Sequence, residues 1–262
     1  MSINDIGISV MVKGEQSYYK DWLKWHRKRG FGPIEVFLDN PEETGQYEAD
    51  LETIVTREGP SRQYQTLNDY FFTKTEEDGW RLIIDIDEYA DFTADELREL
   101  IADNPDEYAF RFPQVIYIAE NAAYRYKTST KPVVERFPKV SIGGSLQRGK
   151  PLIKLGMGIG LRSVHDPAYM SKQGKNLVPV SSVGDEPYMA FRIRHFITKS
   201  EEEWMKTRIG RECISGKKYS ASAFALYNEL KGSESRESIR RMKAAGLEDH
   251  YKGGNGTCPL PF

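Results

Sequence analysis

The sequence predicts an α/β fold in which helices flank a mostly parallel central sheet. Short runs rich in Ile and Val alternate with segments whose apolar side chains recur every three or four residues, and the links between them are short. Strands that alternate with helices in this way are typical of a parallel sheet. In such sheets ligands bind where the strands end. Polar residues that follow several strands are therefore expected to meet at one edge.

Each element of the first half follows from a local pattern. Apolar runs predict strands at 6–13, 34–38, 51–55 and 80–84. Aromatic and apolar side chains at helical spacing predict a helix from residue 16 or 17 to about residue 29, and Gly30 ends it. A second helix is expected at 63–74. Thr93-Ala94-Asp95-Glu96 has the pattern of a capping box and predicts a third helix to about residue 102.

The second half is predicted to contain strands and long loops, followed by helices. Strand-like runs, broken by links rich in Gly and Pro, occur at 108–112, 115–118, 152–155 and 192–197. Loops of this kind are a usual place for a substrate-specific surface. Helices are predicted at 200–211, 219–231 and 235–245, and residues 251–262 are expected to form an irregular tail.

The composition excludes several classes of partner. The 37 Lys and Arg residues nearly balance 39 Asp and Glu residues, so the net charge of −2 provides no general attraction for nucleic acid or an anionic membrane. Cys213 and Cys258 lack a metal-type spacing and suggest a reducing compartment. No apolar stretch approaches the roughly 20 residues of a membrane helix, and no signal peptide is recognised. We therefore expect a cytoplasmic protein with no integral membrane segment and no nucleic-acid partner.

An acidic segment, Asp85-Ile86-Asp87-Glu88, ends the strand predicted at 80–84. Burying a carboxylate without a counter-charge is costly, so acids at this position need a cation or an open edge. A divalent cation, Mn²⁺ or Mg²⁺, is a suitable counter-charge and often carries a diphosphate. Ordinary surface acids are the alternative. A dehalogenase-type hydrolase is disfavoured, because its acid pair usually follows the first strand and precedes Thr or Val rather than Glu88-Tyr89.

Other polar residues lie at predicted strand ends. Lys13 could contact a phosphate and Asp39-Asn40 a base or ribose, although both segments also suit solvated turns. His195 lies between Arg194 and Lys199 before a predicted helix N-terminus, where phosphate oxygens bind well. His165-Asp166 is a weaker example of the same pattern. His26, on the aromatic face of the first helix, is predicted to be a core residue.

Seven segments occur in a distinctive order. They are Lys13-Gly14-Glu15; 21–30; 36–40; Gln65 with Asn68-Asp69-Tyr70; 80–89; 150–154 with Val164-His165; and 194–200 with Glu203-Trp204 and Lys206. This order resembles the family 92 glycosyltransferases and their bacterial family 2-like relatives. The resemblance implies a GT-A type nucleotide-binding fold over residues 1–231, with C-terminal helices. Within it, 1–106 would be the nucleotide-binding half and 107–211 the acceptor-side half, while 232–262 would add a helix and an irregular tail.

The resemblance also implies a reaction. A sugar would move from a nucleotide-sugar donor, preferably a UDP-sugar, to a glycan, a lipid-linked sugar or another hydroxyl acceptor, with metal dependence and inversion. Two departures concern the nucleotide end: Gly14 stands where the family usually has Asn, and Pro41-Glu42 follow Asp39-Asn40 where the family often has two serines. Animal members carry a membrane anchor, which this sequence does not show.

Roles follow from this hypothesis. Asp87 would bind the cation directly, and Asp85 would bind it through water or hold the ribose. His195, or alternatively His165, would be a further metal ligand or diphosphate contact, and Lys199 would neutralise the leaving diphosphate. The residues expected to contact the nucleotide-sugar are Lys13, Glu15, Asp39, Asn40, Gln65, Asp85 and Lys199.

Inversion requires a carboxylate that deprotonates the acceptor hydroxyl. The sequence offers Asp166, Asp185, Glu186 and Glu120 without choosing among them. Two other functions use comparable residues: a nucleotidyltransferase or phosphate-ester hydrolase with the same acidic metal site, and a catalytically silent carbohydrate-binding relative.

Overall fold

The computed structural model describes residues 5–12, 14, 16–39, 41–54, 62–73, 79–118, 131–137, 139–140, 147–170, 177–179, 191–197, 199 and 203. The chain forms two compact units, the first comprising residues 1–114 with 148–194 and the second residues 115–147 with 195–262. The predicted division into halves at residue 106 stays a prediction. Of the predicted C-terminal helices and tail, only Glu203 lies within the described residues.

The helices and strands follow in chain order. The strands are β1 (Ile6–Val12), β2 (Ile34–Leu38), β3 (Leu51–Ile54), β4 (Trp80–Asp85), β5 (Glu88–Ala90), β6 (Ala109–Ile118), β7 (Lys139–Val140), β8 (Gln147–Lys154), β9 (Ile159–Ser163), β10 (Asp166–Met170), β11 (Leu177–Pro179) and β12 (Ile193–His195). The helices are α1 (Gln16–Lys28), α2 (Arg62–Thr73), α3 (Ala94–Asp103) and the single turn α4 (Val133–Arg136), with a 3-10 turn at Pro41–Glu43.

The main sheet has the strand order β3-β2-β1-β4-β8-β6-β12-β5, and β7 pairs with β6. The pairs β2–β3, β1–β2 and β1–β4 are parallel, whereas β8 runs antiparallel to β4. The parallel prediction is thus confirmed for the first four strands. Parallel neighbours need long crossover connections, which α1 and α2 provide here.

A second sheet contains β9, β10 and β11, all antiparallel. Strand β6 differs from the sequence prediction. The sequence predicts two strands, one on each side of Pro113, whereas β6 continues through this proline. The fixed φ of proline fits an extended backbone, so a proline need not end a strand where its missing N–H is not required.

The helix ends agree with the sequence patterns. Thr93 accepts a hydrogen bond from the Glu96 N–H while Glu96 accepts one from the Thr93 N–H, which confirms the capping box of α3. Gly30 has φ of 80°, a left-handed conformation that favours glycine after a helix. On α1 the predicted stripe is buried at Tyr18, Tyr19, Trp22, Leu23 and His26.

An apolar cluster joins the main sheet, α2 and β9. Its members are Phe37, Leu67, Phe71, Ile83, Ala109, Ile153, Leu155, Ile159 and Leu161. Asn68 of α2 ties the helix to β9 by exchanging two hydrogen bonds with the backbone of Leu161, at 2.8 and 2.5 Å. This packing holds α2, which connects β3 to β4, against the sheet and thereby brings β4 beside β1.

One buried ion pair lies within the parallel strands. Glu35 of β2 and Arg81 of β4 are 2.9 Å apart and both side chains are 4 % exposed. Ser9 and Tyr70 also donate hydrogen bonds to the Glu35 carboxylate, at 2.7 and 2.8 Å. The desolvated charges are therefore paired and hydrogen-bonded, as buried charges need to be.

The second unit has its own aromatic contacts. Phe196 packs against Tyr117 and Phe137, with ring centroids 5.4 and 6.2 Å apart. Arg136 of α4 forms an ion pair with Glu203 at 3.1 Å.

None of the helices in the described residues is long and apolar enough to span a membrane.

Candidate active site

The carboxyl ends of the parallel strands define the candidate site. Met11 of β1 lies in register with Phe37 of β2 and Asp85 of β4. Residues that follow these three strands therefore lie at the same edge of the sheet. Asp39 is one of them, and its N–H donates to the Val12 carbonyl at 3.1 Å. The acidic segment is another.

The acidic segment forms a tight connection between two strands. Asp85 is the last residue of β4, and Glu88 is the first of β5. Asp87 and Glu88 are buried, and each carboxylate has an oxygen within 4.8 Å of the other. Asp85 is more open, with 34 % of its side chain exposed. We call residues 85–88 the acidic loop.

Helix α1 holds the short strand β5 in place. Trp22 and Trp25 donate indole N–H hydrogen bonds to the carbonyls of Glu88 and Ala90, at 2.8 and 2.7 Å. The Ala90 N–H donates to Nε2 of His26 at 3.2 Å. A strand of only three residues is stabilised mainly by such contacts, so the aromatic face of α1 positions the acidic loop. The prediction that His26 is a core residue is confirmed.

Lys150 of β8 supplies a positive charge to the acidic loop. Its Nζ lies 2.6 Å from Oδ2 of Asp85 and 3.0 Å from Oε2 of Glu88, and its side chain is 1 % exposed. Burial by itself would lower the pKa of Lys150, but attraction to the Asp85 and Glu88 carboxylates outweighs it and raises that pKa above its ordinary value. The ammonium group therefore stays charged in its buried position.

Glu88 has further partners. Its Oε2 accepts the Asp85 N–H at 2.7 Å, and its Oε1 accepts a hydrogen bond from the Gln114 side chain of β6. Glu88 therefore contacts one group on each of three strands: the Asp85 N–H of β4, the Lys150 ammonium group of β8 and the Gln114 side chain of β6. With Asp85, Asp87 and Glu88 ionised and Lys150 protonated, these four side chains carry a net charge of −2. Oxygen donors with this charge suit a hard divalent cation such as Mg²⁺ or Mn²⁺.

Glu43 occupies the edge beside β1. Its carboxylate accepts the Gly14 N–H at 2.8 and 2.9 Å, and the Tyr47 hydroxyl donates to it at 2.5 Å. Gly14 has φ of 66°, in the left-handed region. The side chain of Asp39 is half-buried, as is that of Gln65 near the start of α2. Lys13, Glu15 and Asn40 lie outside the described residues.

The other predicted site residues follow α3 in the chain. His195 is buried at the end of β12, the strand next to β5 in the sheet order. His165 is half-buried in the turn between β9 and β10, and its N–H donates to Ser163 Oγ at 3.3 Å. Lys199 is buried with φ of 49°. The side chain of Asp166 lies outside the described residues, as do Asp185, Glu186 and Glu120.

Lys150, Gln114 and Glu43 are site residues to which the sequence patterns gave no role. Lys150 had a detectable signal, because it begins the segment Lys-Pro-Leu-Ile, and a lysine that enters an apolar strand needs a nearby carboxylate. Gln114 and Glu43 had none, since Gln114 contacts Glu88 and Glu43 contacts Gly14 across more than 25 residues of sequence.

Comparisons with known proteins include two solved structures that match at low sequence identity. No protein-family description and no curated protein matches this sequence. A crystal structure of S. aureus TarS aligns over 96 % of this chain and 44 % of its own, with 11 % identity and a TM-score of 0.42. A second, of S. aureus TarS residues 1–349, aligns over 78 % of this chain and 63 % of its own, with 14 % identity and a TM-score of 0.39. This chain thus spans less than two thirds of either. Alignments at this level define no family and carry no argument about activity.

Proposed function

We propose that this protein is a metal-dependent glycosyltransferase with a GT-A type fold. It would transfer a sugar from a nucleotide-sugar donor, preferably a UDP-sugar, to a glycan, a lipid-linked sugar or another hydroxyl acceptor, with inversion. The observation that carries the proposal is the acidic loop, a net-negative group of side chains at the carboxyl edge of four parallel strands. Ligands of open α/β sheets bind at such an edge.

The ligands of the cation are part of the proposal. Asp87 is the direct ligand, and Asp85 binds through water or holds the ribose, because one Asp85 oxygen already contacts Lys150. His195 is the further protein ligand, with His165 as the alternative. A bound Mn²⁺ or Mg²⁺ would neutralise the diphosphate as it departs. Lys199 would add a second positive charge for the same group.

The nucleotide end lies beside β1 and β2 in this proposal. Gly14 and Asp39 follow adjacent strand ends, and the Glu43 carboxylate closes the turn at Gly14. Gln65 lies near the start of α2, which leads back from β3, and would line the same end. Lys13, Glu15 and Asn40 would complete the nucleotide contacts.

The chain must also remove a proton from the acceptor hydroxyl. We propose Asp166, Asp185 or Glu186 as the base, since an inverting transfer needs a carboxylate on the face opposite the leaving group. Replacing each by Asn or Gln and measuring turnover would identify it, because the loss of the base lowers kcat while donor binding is retained.

The central test uses Asp87→Asn. With the wild-type protein, UDP and Mn²⁺ together should raise the melting temperature, and a ligand at about 100 times its Kd adds about 2.7 kcal/mol of stability. Asp87→Asn should lose this shift and the sugar transfer while remaining folded. The control is Asp103→Asn at the exposed end of α3, which should behave like the wild type.

The products distinguish the alternatives. A glycosyltransferase yields a glycosylated acceptor and a nucleoside diphosphate, a nucleotidyltransferase yields pyrophosphate, and a hydrolase yields free phosphate. A silent relative binds carbohydrate with no turnover. Normal sugar transfer by Asp87→Asn would refute the assignment of the metal ligand.

A further inference from the structure

Lys150 makes contacts that a simple surface lysine does not make. It is fully buried and its ammonium group touches carboxylates from both ends of the acidic loop, Asp85 at the end of β4 and Glu88 at the start of β5. The Glu88 carboxylate in turn accepts a hydrogen bond from the Asp85 N–H. The Glu88 carboxylate and the Lys150 ammonium group therefore link the two ends of the loop. Both ends of the loop are therefore held by groups of the protein itself.

The strand that carries Lys150 is pressed tightly against its neighbour. A Cβ added at Gly149 would lie 2.6 Å from the Phe112 carbonyl oxygen and 2.5 Å from Cγ of Arg111, both on β6. The absence of a side chain at residue 149 thus permits the close approach of β8 and β6. These two strands carry the two side chains, Lys150 and Gln114, that meet on Glu88.

We infer that Lys150 is a positioning residue that serves as a built-in cation, keeping the acidic loop in its binding geometry before any divalent cation arrives. The inference deepens the proposed function and rests on it for the identity of the incoming cation. Lys150 neutralises the repulsion between Asp85 and Glu88, so the bound metal completes a preformed site. The metal does not have to organise the loop.

The first test compares the wild type with Lys150→Met, which keeps an unbranched side chain of nearly the same length and removes the ammonium group. The wild type should melt at nearly the same temperature with EDTA as with no addition, and Lys150→Met should melt lower. Mn²⁺ should then raise the melting temperature of Lys150→Met by more than it raises that of the wild type. The reason is that Mn²⁺ then supplies the positive charge that Lys150 supplies in the wild type, a gain expected to exceed the cost of ordering the loop.

Two further variants separate charge from packing. Lys154→Met removes a lysine from the end of the same strand, where Nζ lies over the Tyr108 ring at 5.3 Å, and should respond to Mn²⁺ like the wild type. Lys150→Met combined with Glu88→Gln removes one charge of each sign. This double variant should melt above Lys150→Met without metal, which a purely steric role of Lys150 would not produce.

The outcomes separate the two proposals. Equal Mn²⁺ shifts in the wild type and Lys150→Met, or a double variant no more stable than Lys150→Met, would overturn the role of Lys150. A wild type that shows no response to Mn²⁺ would instead overturn the metal-dependent function. The double variant still tests the built-in cation in that case, because its comparison needs no metal. If Lys150→Met alone fails to fold, recovery of folding in the double variant supports the inference and continued failure opposes it.

Discussion

Lowering the pH should destabilise this protein through His26. Burial, together with a smaller effect of the nearby Arg29, lowers the pKa of His26 to about 3, against the opposing effect of the hydrogen bond to Trp22. The Nδ1–H donates to the Trp22 carbonyl at 2.8 Å, and Nε2 accepts the Ala90 N–H at 3.2 Å. A proton added to Nε2 would face another donor, so the folded protein keeps the neutral ring.

The magnitude follows from the difference between the two states. An unfolded chain protonates this imidazole near pH 6.5, whereas the folded chain does so only near pH 3. Between these values the unfolded state binds the extra proton, so stability is lost as the pH falls. Each pH unit below 6.5 should cost about 1.4 kcal/mol, or about 2 kcal/mol at pH 5.

The assay is urea denaturation from pH 8 to pH 5, monitored by tryptophan fluorescence because the Trp22 and His26 rings are in contact, with centroids 4.3 Å apart. His26→Phe should be less stable at pH 8 by about 1–3 kcal/mol, since the Ala90 N–H loses its acceptor. Its stability should then fall less steeply, by about 1.4 kcal/mol per pH unit. His165→Gln, in the turn between β9 and β10, controls for histidine loss and should keep the wild-type slope. Parallel pH curves for the wild type and His26→Phe would refute the argument.

Two other substitutions test the fold. Arg81→Met should destabilise by about 3–5 kcal/mol in urea denaturation, because it leaves the buried Glu35 carboxylate without its cation. A loss no larger than that of Arg98→Met, a control at a half-exposed surface ion pair, would contradict this. Thr93→Ala should lower the unfolding free energy by about 1 kcal/mol, since Thr93 caps α3. Thr93→Ser should retain most of the stability, and equal losses in both variants would show that the hydroxyl is unimportant.

Local patterns predicted the first half of the chain well. The strands at β1, β2 and β4 and the helices α1, α2 and α3 begin and end within a residue or two of the expected positions. These elements have strong periodicity and clear end signals, such as Gly30 and the capping box of Thr93 and Glu96. The second half was harder to predict from the sequence. The direction of β8 and the continuity of β6 through Pro113 depend on which strands pair with them, and local patterns do not specify that pairing.

The candidate site shows the same division. The order of strands and helices, together with the acids after the strand at residue 80, sufficed to predict that Asp39 and the acidic loop share one edge of the sheet. Parallel register then places Asp85 level with Met11 and Phe37, as expected. The predicted roles of His195, His165 and Lys199 stay predictions, as do those of Asp166, Asp185 and Glu186.

By itself the sequence determined the main helices, the parallel strands and the position of the acidic loop, because each depends on residues close together in the chain. Only the tertiary structure decided which side chains compensate the negative charge of that loop. Lys150 and Gln114 reach Glu88 from strands whose hydrogen-bonded neighbours are set by the packing of the whole sheet. A buried charge selects its partner by distance in space, and a linear pattern carries no record of that distance.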